Sequence, residues 1–270
     1  MNTREAAVSG SFYPSDAKEL SHIVIENIDK AESKNITPTI IVSPHAGFIY
    51  SGVTAGTAYK QLQNIKDEHY SILLVGPAHT IGFEGFAFPF SNKFATPLGD
   101  IIVNQDKIET FMNQFSNILP VFRHDLPHKN EHCLETQLPF LQKSLKSFDI
   151  IPIVYGKSDY NDLSSIFEYF LSLKNIIVVV SSDLSHFYDQ NNANKIDHYC
   201  NDGITELDIN KLSNGEACGM IGLKAAVSCA LRTNLEPLLL DYRTSGDTAG
   251  DKSRVVGYAS YVFYKKEGAI

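Results

Sequence analysis

Three histidines each follow an apolar, β-branched run of residues that ends a few positions earlier. His45 follows Thr39–Ser43, His79 follows Ser71–Gly76, and His186 follows Ile176–Ser181. Imidazole is a common ligand of transition metals, and its ordinary pKa of about 6.5 also suits it to proton transfer at neutral pH. The three histidines are therefore candidates for metal binding or acid–base chemistry, while a single histidine after a strand is more often an ordinary loop residue.

Asp183 lies three residues before His186. A carboxylate beside an imidazole can orient the ring and support its action as a general base. The same spacing also allows Asp183 to cap a following helix. The catalytic interpretation predicts that His186 is the base and that Asp183 is the group that orients it.

A further polar cluster, residues 129–135, precedes a predicted helix. Adjacent side chains rarely point at one ion, so Cys133 is interpreted as a small buried thiol. Glu131 and His132 have two interpretations. In the first they belong to a site, where they bond to a metal ligand or contact substrate. In the second they cap the helix. Two histidines in the preceding polar loop are expected to be exposed to solvent: His124 and His128.

Cys218 lies in the segment Gly215–Met220, at the start of a predicted helix. The positive end of a helix dipole lowers the pKa of a thiol and favours the thiolate. Cys218 is therefore either a candidate thiolate or a structural thiol. The four cysteines form no CxxC pair, which indicates reduced thiols and a cytoplasmic location.

The elements that must position these residues are predicted from the apolar patterns. Strands are predicted at Thr39–Ser43, Ser71–Gly76, Gly85–Phe90, Ile150–Tyr155, Ile176–Ser181 and Val255–Phe263. Helices are predicted at Asp16–Lys34, Thr54–Leu62, Gln105–Phe115, Glu135–Ser147, Asp162–Leu173 and Glu216–Leu231. This alternation predicts a single α/β domain over residues 1–270, with a largely parallel central sheet flanked by helices and a last strand that could be antiparallel at an edge. Ligands bind beyond the carboxyl ends of such strands, so the three histidines are expected to share one crevice.

The composition excludes several classes of protein. The 270 residues include 23 Lys and Arg against 31 Asp and Glu, a formal net charge of −8. Nucleic acids and anionic membranes normally require a basic face, so neither is expected as a partner. No apolar stretch approaches the roughly 20 residues that span a bilayer, and the first residues lack the apolar core of a signal peptide.

Six segments in order along the chain resemble one known family. They are Gly10-Ser11-Phe12-Tyr13-Pro14, Ser43-Pro44-His45-Ala46-Gly47, Gly76-Pro77-Ala78-His79, Glu131-His132-Cys133-Leu134-Glu135, Ser181-Ser182-Asp183-Leu184-Ser185-His186 and Thr244-Ser245-Gly246-Asp247. Together they resemble the Memo family, whose bacterial and archaeal members are called AmmeMemoRadiSam system protein B. The ordered set spans nearly the whole chain and is far more specific than any one motif.

The resemblance implies a single domain similar to the catalytic subunit of class III extradiol dioxygenases, which are non-haem iron enzymes. It also implies a metal site formed by His45, His79 and Cys218. Asp183 and His186 would line the same pocket, with His186 where the dioxygenases keep their acid–base histidine. The family name further implies an AMMECR1-like protein and a radical S-adenosylmethionine protein as partners, and leaves the small-molecule substrate open.

One departure from the dioxygenases affects the expected chemistry. Their iron is held by two histidines and one carboxylate, whereas the third ligand here is expected to be the thiolate of Cys218, with Glu216 as the alternative carboxylate. Iron is the expected metal, and zinc or copper could also bind such a set. The leading hypothesis is a non-haem iron oxidoreductase, with a zinc-dependent hydrolase or a metal-binding scaffold without strong catalysis as alternatives.

Overall fold

The three apolar runs that precede the histidines are neighbouring strands in the computed structural model, which describes residues 2–66 and 68–266. The strands are β1 (Thr3–Arg4), β2 (Pro38–Ser43), β3 (His69–Pro77), β4 (Phe86–Phe88), β5 (Lys93–Thr96), β6 (Gly99–Ile102), β7 (Val121–Arg123), β8 (Ser147–Tyr155), β9 (Ile176–Ser181), β10 (His186–Tyr188), β11 (Leu235–Thr244) and β12 (Val255–Lys265). Strands β2, β9 and β3 consist almost entirely of buried residues, as expected for the middle of a sheet covered on both faces.

The larger sheet has nine strands in the order β10-β12-β2-β9-β3-β8-β4-β7, with β11 also paired to β12. The central pairs β2–β9, β9–β3 and β3–β8 are parallel, and a smaller sheet contains β1, β5 and β6. The outer pairs of β12 with β2, β10 and β11 are antiparallel. The predicted α/β class and the parallel centre of the sheet are therefore confirmed.

The last strand differs from its predicted place in one respect. It is antiparallel, as expected, but β12 lies between β2 and β11 rather than at an edge. The strand that covers it, β11, was not predicted, because its Pro237, Asp241 and Arg243 interrupt an otherwise apolar run and most of its residues are only partly buried. The strand forms despite this weak sequence pattern because it pairs with β12 along nearly its whole length.

The helices flank the sheet, and several of them pack against one another. They are α1 (Ala17–Asp29), α2 (Phe48–Leu62), α3 (Gln105–Phe115), α4 (Leu126–Lys129), α5 (Leu138–Ser144), α6 (Tyr160–Leu171), α7 (Gln190–Thr205), α8 (Ile209–Leu212), α9 (Met220–Thr233) and α10 (Ser245–Thr248). Helices α1, α2 and α5 pack together, and α6 packs on α9. No helix in the described part of the chain is long and apolar enough to cross a membrane.

Several predicted helix boundaries shift, and two of the shifts affect the site. Helix α2 begins at Phe48, so the turn after His45 leads directly into a helix. Helix α9 begins at Met220 with Gly219 as its N-cap, which leaves Cys218 in the preceding loop. The polar helix α7 was not predicted, because its sequence has few apolar residues with which to mark a period.

His128 is buried, and the expectation that it is exposed was wrong. Its Nε2 atom lies 3.0 Å from the carbonyl oxygen of Ala87 in β4. Its own carbonyl accepts a 2.9 Å hydrogen bond from Nε of the buried Arg4. The N-terminal strand thus covers this loop, while the neighbouring His124 is exposed as expected.

Candidate metal centre

The order of the central strands brings the predicted site residues to one edge of the sheet. Strand β9 lies between β2 and β3, and Ser43 at the end of β2 is in register with Ser181 at the end of β9. The loops that carry His45, His79 and Asp183 therefore begin side by side. These three residues and His186 line one open cleft of about 630 Å³.

His45, His79 and Cys218 each offer one ligand atom, and these atoms all lie within 4.8 Å of one another. The Nε2 atom of His45 is 3.3 Å from the Sγ of Cys218, and the rings of His45 and His79 have centroids 5.1 Å apart. Nitrogen and thiolate ligands of one tetrahedral ion lie roughly 3.3–3.7 Å apart, given metal–ligand bonds of 2.0–2.3 Å. The side chains present therefore fit a transition metal without a large rearrangement.

A buried hydrogen-bond network leaves Nε2 of His45 free to bind a metal. The Nδ1 atom of His45 lies 2.8 Å from Oγ of Ser181, and that hydroxyl donates to the carbonyl of Cys133 at 2.7 Å. It also accepts a 2.9 Å hydrogen bond from Nε2 of Gln137. Since a serine hydroxyl has only one proton to donate, Nδ1 of His45 must be the donor to Ser181. Its Nε2 atom is then an unprotonated ligand that faces Cys218.

Glu131 fixes the second imidazole in the same way. Its Oε1 lies 2.9 Å from Nδ1 of His79, and its Oε2 accepts the backbone N–H of His79 at 2.6 Å. Burial alone would raise the pKa of Glu131, but the hydrogen bonds that it accepts from the side chain and backbone of His79 lower the pKa to about 2. A carboxylate that receives Nδ1–H leaves Nε2 as the metal-binding atom and increases its basicity.

Cys218 is held by the loop that follows β9 rather than by a helix N-terminus. Its Sγ accepts the backbone N–H of Asp183 at 3.2 Å, and its backbone N–H donates to the Asp183 carbonyl at 3.2 Å. A side chain at Gly219 would collide with Ser182, so this residue permits the close approach. Burial raises the pKa of the thiol to about 12, opposite to the lowering expected from a helix dipole.

Glu216, the alternative carboxylate, lies apart from the ligand atoms. It is exposed, and its Oε1 accepts a 2.8 Å hydrogen bond from the hydroxyl of Tyr188. It belongs neither to the cluster of His45, His79 and Cys218 nor to the residues that line the cleft, within the described chain. The geometry therefore favours the thiol of Cys218 as the third ligand.

Asp183 contacts the metal-binding loop rather than the predicted base. Its Oδ1 accepts the backbone N–H of His45 at 2.7 Å. Among the hydrogen bonds of the described residues, none joins this carboxylate to His186, so the expected orienting contact is not formed. Burial raises the pKa of Asp183 to about 7 despite the hydrogen bond from the His45 backbone. Asp183 thus fixes the positions of His45 and Cys218.

His186 lies at the start of β10 and lines the cleft. Strand β10 pairs with β12 through His186 and Val256. Burial lowers the pKa of His186, and a hydrogen bond with the Leu184 backbone partly opposes this shift. The ring is therefore neutral at physiological pH and can accept a proton.

His132 is a third imidazole beside His45 and His79, and it forms a second group of possible ligands with His79 and Glu131. Its ring centroid lies 4.5 Å from that of His79 and 5.3 Å from that of His45, and it packs against Phe12. Its Nδ1 is 3.2 Å from Oε1 of Glu131. The adjacent Cys133 points away and donates its thiol proton to the carbonyl of Pro77, in agreement with a small buried thiol.

Three residues that support or line the cleft were missed in the sequence. Ser181 ends a predicted strand, and Gln137 lies near the start of a predicted helix. Neither residue type at such a position indicates a functional role. Arg254 lies in the loop before β12 and lines the cleft. Its position on the cleft depends on the antiparallel pairing of β12, which the sequence does not specify.

Comparison with known proteins agrees with the ordered motifs. The chain matches the model of the Memo-like protein family over residues 4–262. It is 36% identical to a MEMO1 family protein of Methanobrevibacter smithii and 31% identical to one of Archaeoglobus fulgidus, in each case over 96% of this chain and 99% of the relative. The crystal structure of an uncharacterised Escherichia coli K12 protein shares the fold, with a TM-score of 0.54 at 8% identity over 84% of this chain and 100% of that one. The match over nearly the full length shows that this chain belongs to the Memo-like protein family.

Proposed function

We propose that this protein is a non-haem iron oxidoreductase that acts on a small molecule in the cleft, with the metal held by His45, His79 and Cys218. The observation that carries the proposal is the pair of imidazoles whose Nδ1 atoms are both engaged, by Ser181 and by Glu131, while a thiol lies 3.3 Å from Nε2 of His45. Imidazoles held in this way are prepared for metal binding before any metal arrives.

A bound ferrous ion would supply the one-electron chemistry that the amino acids of the chain lack. The chain itself supplies the positions and the proton transfers. His186, neutral and on the wall of the cleft, accepts a proton from the substrate, and His132 lies beside His79 to interact with substrate or with the metal ligands. Asp183 holds the His45 loop and Cys218 in position through hydrogen bonds to both.

A zinc-dependent hydrolase is the second candidate, and Cys218 is the observation that favours it. Two imidazoles and one thiolate form a tetrahedral zinc site with an open fourth position. Zinc itself has no redox chemistry, so a thiolate ligand is compatible with it. In that case His186 would serve as the base for a water molecule. Copper also binds such a set, because thiolate is a soft ligand.

The metal content of protein purified without oxygen tests both candidates. We expect about one iron per chain in the wild type and loss of most of it in His45→Ala and His79→Ala. His198→Ala is the control, because His198 is an exposed imidazole on α7. Stoichiometric metal with unchanged affinity in either cleft variant would remove that residue from the ligand set. Zinc in place of iron, together with hydrolytic activity, would favour the second candidate.

The compartment in which the protein works follows from the same chemistry. All four cysteines are free thiols, and a thiol ligand is best preserved where thiols are kept reduced. We therefore propose a cytoplasmic location. Fractionation of cells that express the tagged full chain tests it.

A further inference from the structure

Arg254 is the one Lys or Arg side chain among the described residues that line the cleft. It lies in the loop that leads into β12, on the same cleft as the three clustered imidazoles. The whole chain has a net charge of −8, so a cation at this position is not a consequence of a generally basic surface.

The guanidinium of Arg254 is positioned but has no ionic partner. It lies 5.2 Å from the centroid of the Phe187 ring, a distance typical of a cation–π contact. Within the described part of the chain, no carboxylate forms an ion pair or hydrogen bond with it. The nearby Asp251 instead accepts hydrogen bonds from the backbone and hydroxyl of Ser253, at 2.9 and 2.8 Å.

Phe187, which contacts Arg254, has an exposed ring and an unfavourable backbone conformation. The residue is 62% exposed, and its φ of +68° is in the left-handed region that non-glycine residues rarely adopt. An exposed aromatic ring on a strained backbone beside a candidate active site indicates a role in binding. Other walls of the cleft are also aromatic: Phe12, Tyr50 and Tyr258.

We propose that Arg254 is a specificity-determining residue that binds the carboxylate of a small organic acid, whose flat apolar body lies among these aromatic rings. The planar guanidinium forms paired hydrogen bonds with a carboxylate. This proposal depends on the proposed function only in taking the cleft as the active site. It assigns the class of substrate without assigning the metal.

The test compares benzoate with benzamide, which have nearly the same size and shape but differ by one charge. Binding is measured by NMR titration, first in metal-free protein and then in zinc-loaded protein. The variants are Arg254→Gln, which removes the charge, and Arg254→Lys, which keeps the charge but loses the planar fork. Lys195→Gln is the matched control, because it removes one positive charge from an exposed position on α7 outside the cleft.

We expect metal-free wild type to bind benzoate about tenfold more tightly than benzamide, since a guanidinium hydrogen-bonds a charged carboxylate more strongly than a neutral amide. Arg254→Gln should abolish the preference, Arg254→Lys should retain part of it, and Lys195→Gln should retain all of it. Equal binding of the two ligands, absence of binding by both, or a preference that survives Arg254→Gln would overturn the proposal. Failure of the wild type to bind metal would refute the proposed function and leave the metal-free result to decide this inference.

Discussion

The hydroxyl of Ser181 lies 2.8 Å from Nδ1 of His45, and it determines which nitrogen of that imidazole carries the proton. The Ser181 hydroxyl donates its one proton to the Cys133 carbonyl, so it can only accept a hydrogen bond from His45. Ser43 is the register partner of Ser181 on β2, but its own hydroxyl makes only a 3.4 Å contact with the carbonyl of Pro44. Two buried serines at equivalent strand ends thus have different roles.

We predict that Ser181→Ala lowers metal affinity about 10- to 100-fold, which is the usual effect of removing a group that supports a metal ligand. Ser43→Ala should leave metal affinity nearly unchanged, because no hydrogen bond among the described residues joins Ser43 to either imidazole. Titration of anaerobic apoprotein with Fe(II) and Zn(II) measures both. Equal affinities in the two variants would show that Ser181 does not prepare His45 for metal.

We predict that Cys218→Asp preserves Fe(II) binding and weakens Cu(I) binding. The substitution replaces a soft thiolate with a hard carboxylate and recreates two histidines with one carboxylate. Affinities for Fe(II), Zn(II) and Cu(I), measured without oxygen in wild type and variant, provide the comparison. Cys218→Ser controls for loss of the thiol alone. If all three affinities were unchanged in Cys218→Asp, the thiol would not be a ligand.

We predict that His186→Ala keeps its metal and loses activity by about 10²- to 10⁴-fold, the usual contribution of a general base. Burial lowers the pKa of this ring, so activity in the wild type should fall only below the ordinary histidine pKa of about 6.5. Metal content and oxygen consumption by the ferrous protein are the two measurements. Loss of metal in the variant would instead make His186 a ligand.

The burial of His128, outside the cleft, leads us to predict that the free energy of unfolding depends on pH. Burial lowers its pKa to about 4, so between pH 6.5 and 4 the unfolded chain binds a proton that the folded chain does not. Stability should therefore fall as the pH falls through this window, by up to about 3 kcal/mol. His128→Gln, which does not titrate, should show a flatter profile in urea unfolding, whereas His124→Gln at an exposed position should follow the wild type. Parallel profiles in all three proteins would contradict the assignment.

The predicted protein partners are tested by purification of the tagged full chain under reducing, anaerobic conditions. We predict that an AMMECR1-like protein or a radical S-adenosylmethionine protein is recovered with it and is lost at high salt. Salt screens contacts made by exposed charges, and this chain is acidic. Recovery of neither protein would leave the small molecule as the only expected partner.

Much of the candidate site could be predicted because its residues are close to recognisable strand ends. His45 and His79 follow buried runs whose composition marks them as central strands, and this local pattern also predicts the parallel centre of the sheet. The roles of Asp183 and Cys218 were harder to predict. Asp183 is three residues from His186 in sequence, yet its carboxylate bonds to the backbone of His45, 138 residues away.

The sequence by itself determined the fold class, the family and the identity of the histidines, since these depend on apolar periodicity and on ordered short motifs. Tertiary structure decided which imidazole nitrogens are free to bind a metal, which group Asp183 bonds to, and why Arg254 lies on the same cleft as the histidines. The physical reason is that hydrophobic patterns specify that a strand forms but not which strand is its neighbour. Only the insertion of β9 between β2 and β3, together with the antiparallel return of β12, brings these distant polar groups within hydrogen-bonding distance or onto one cleft.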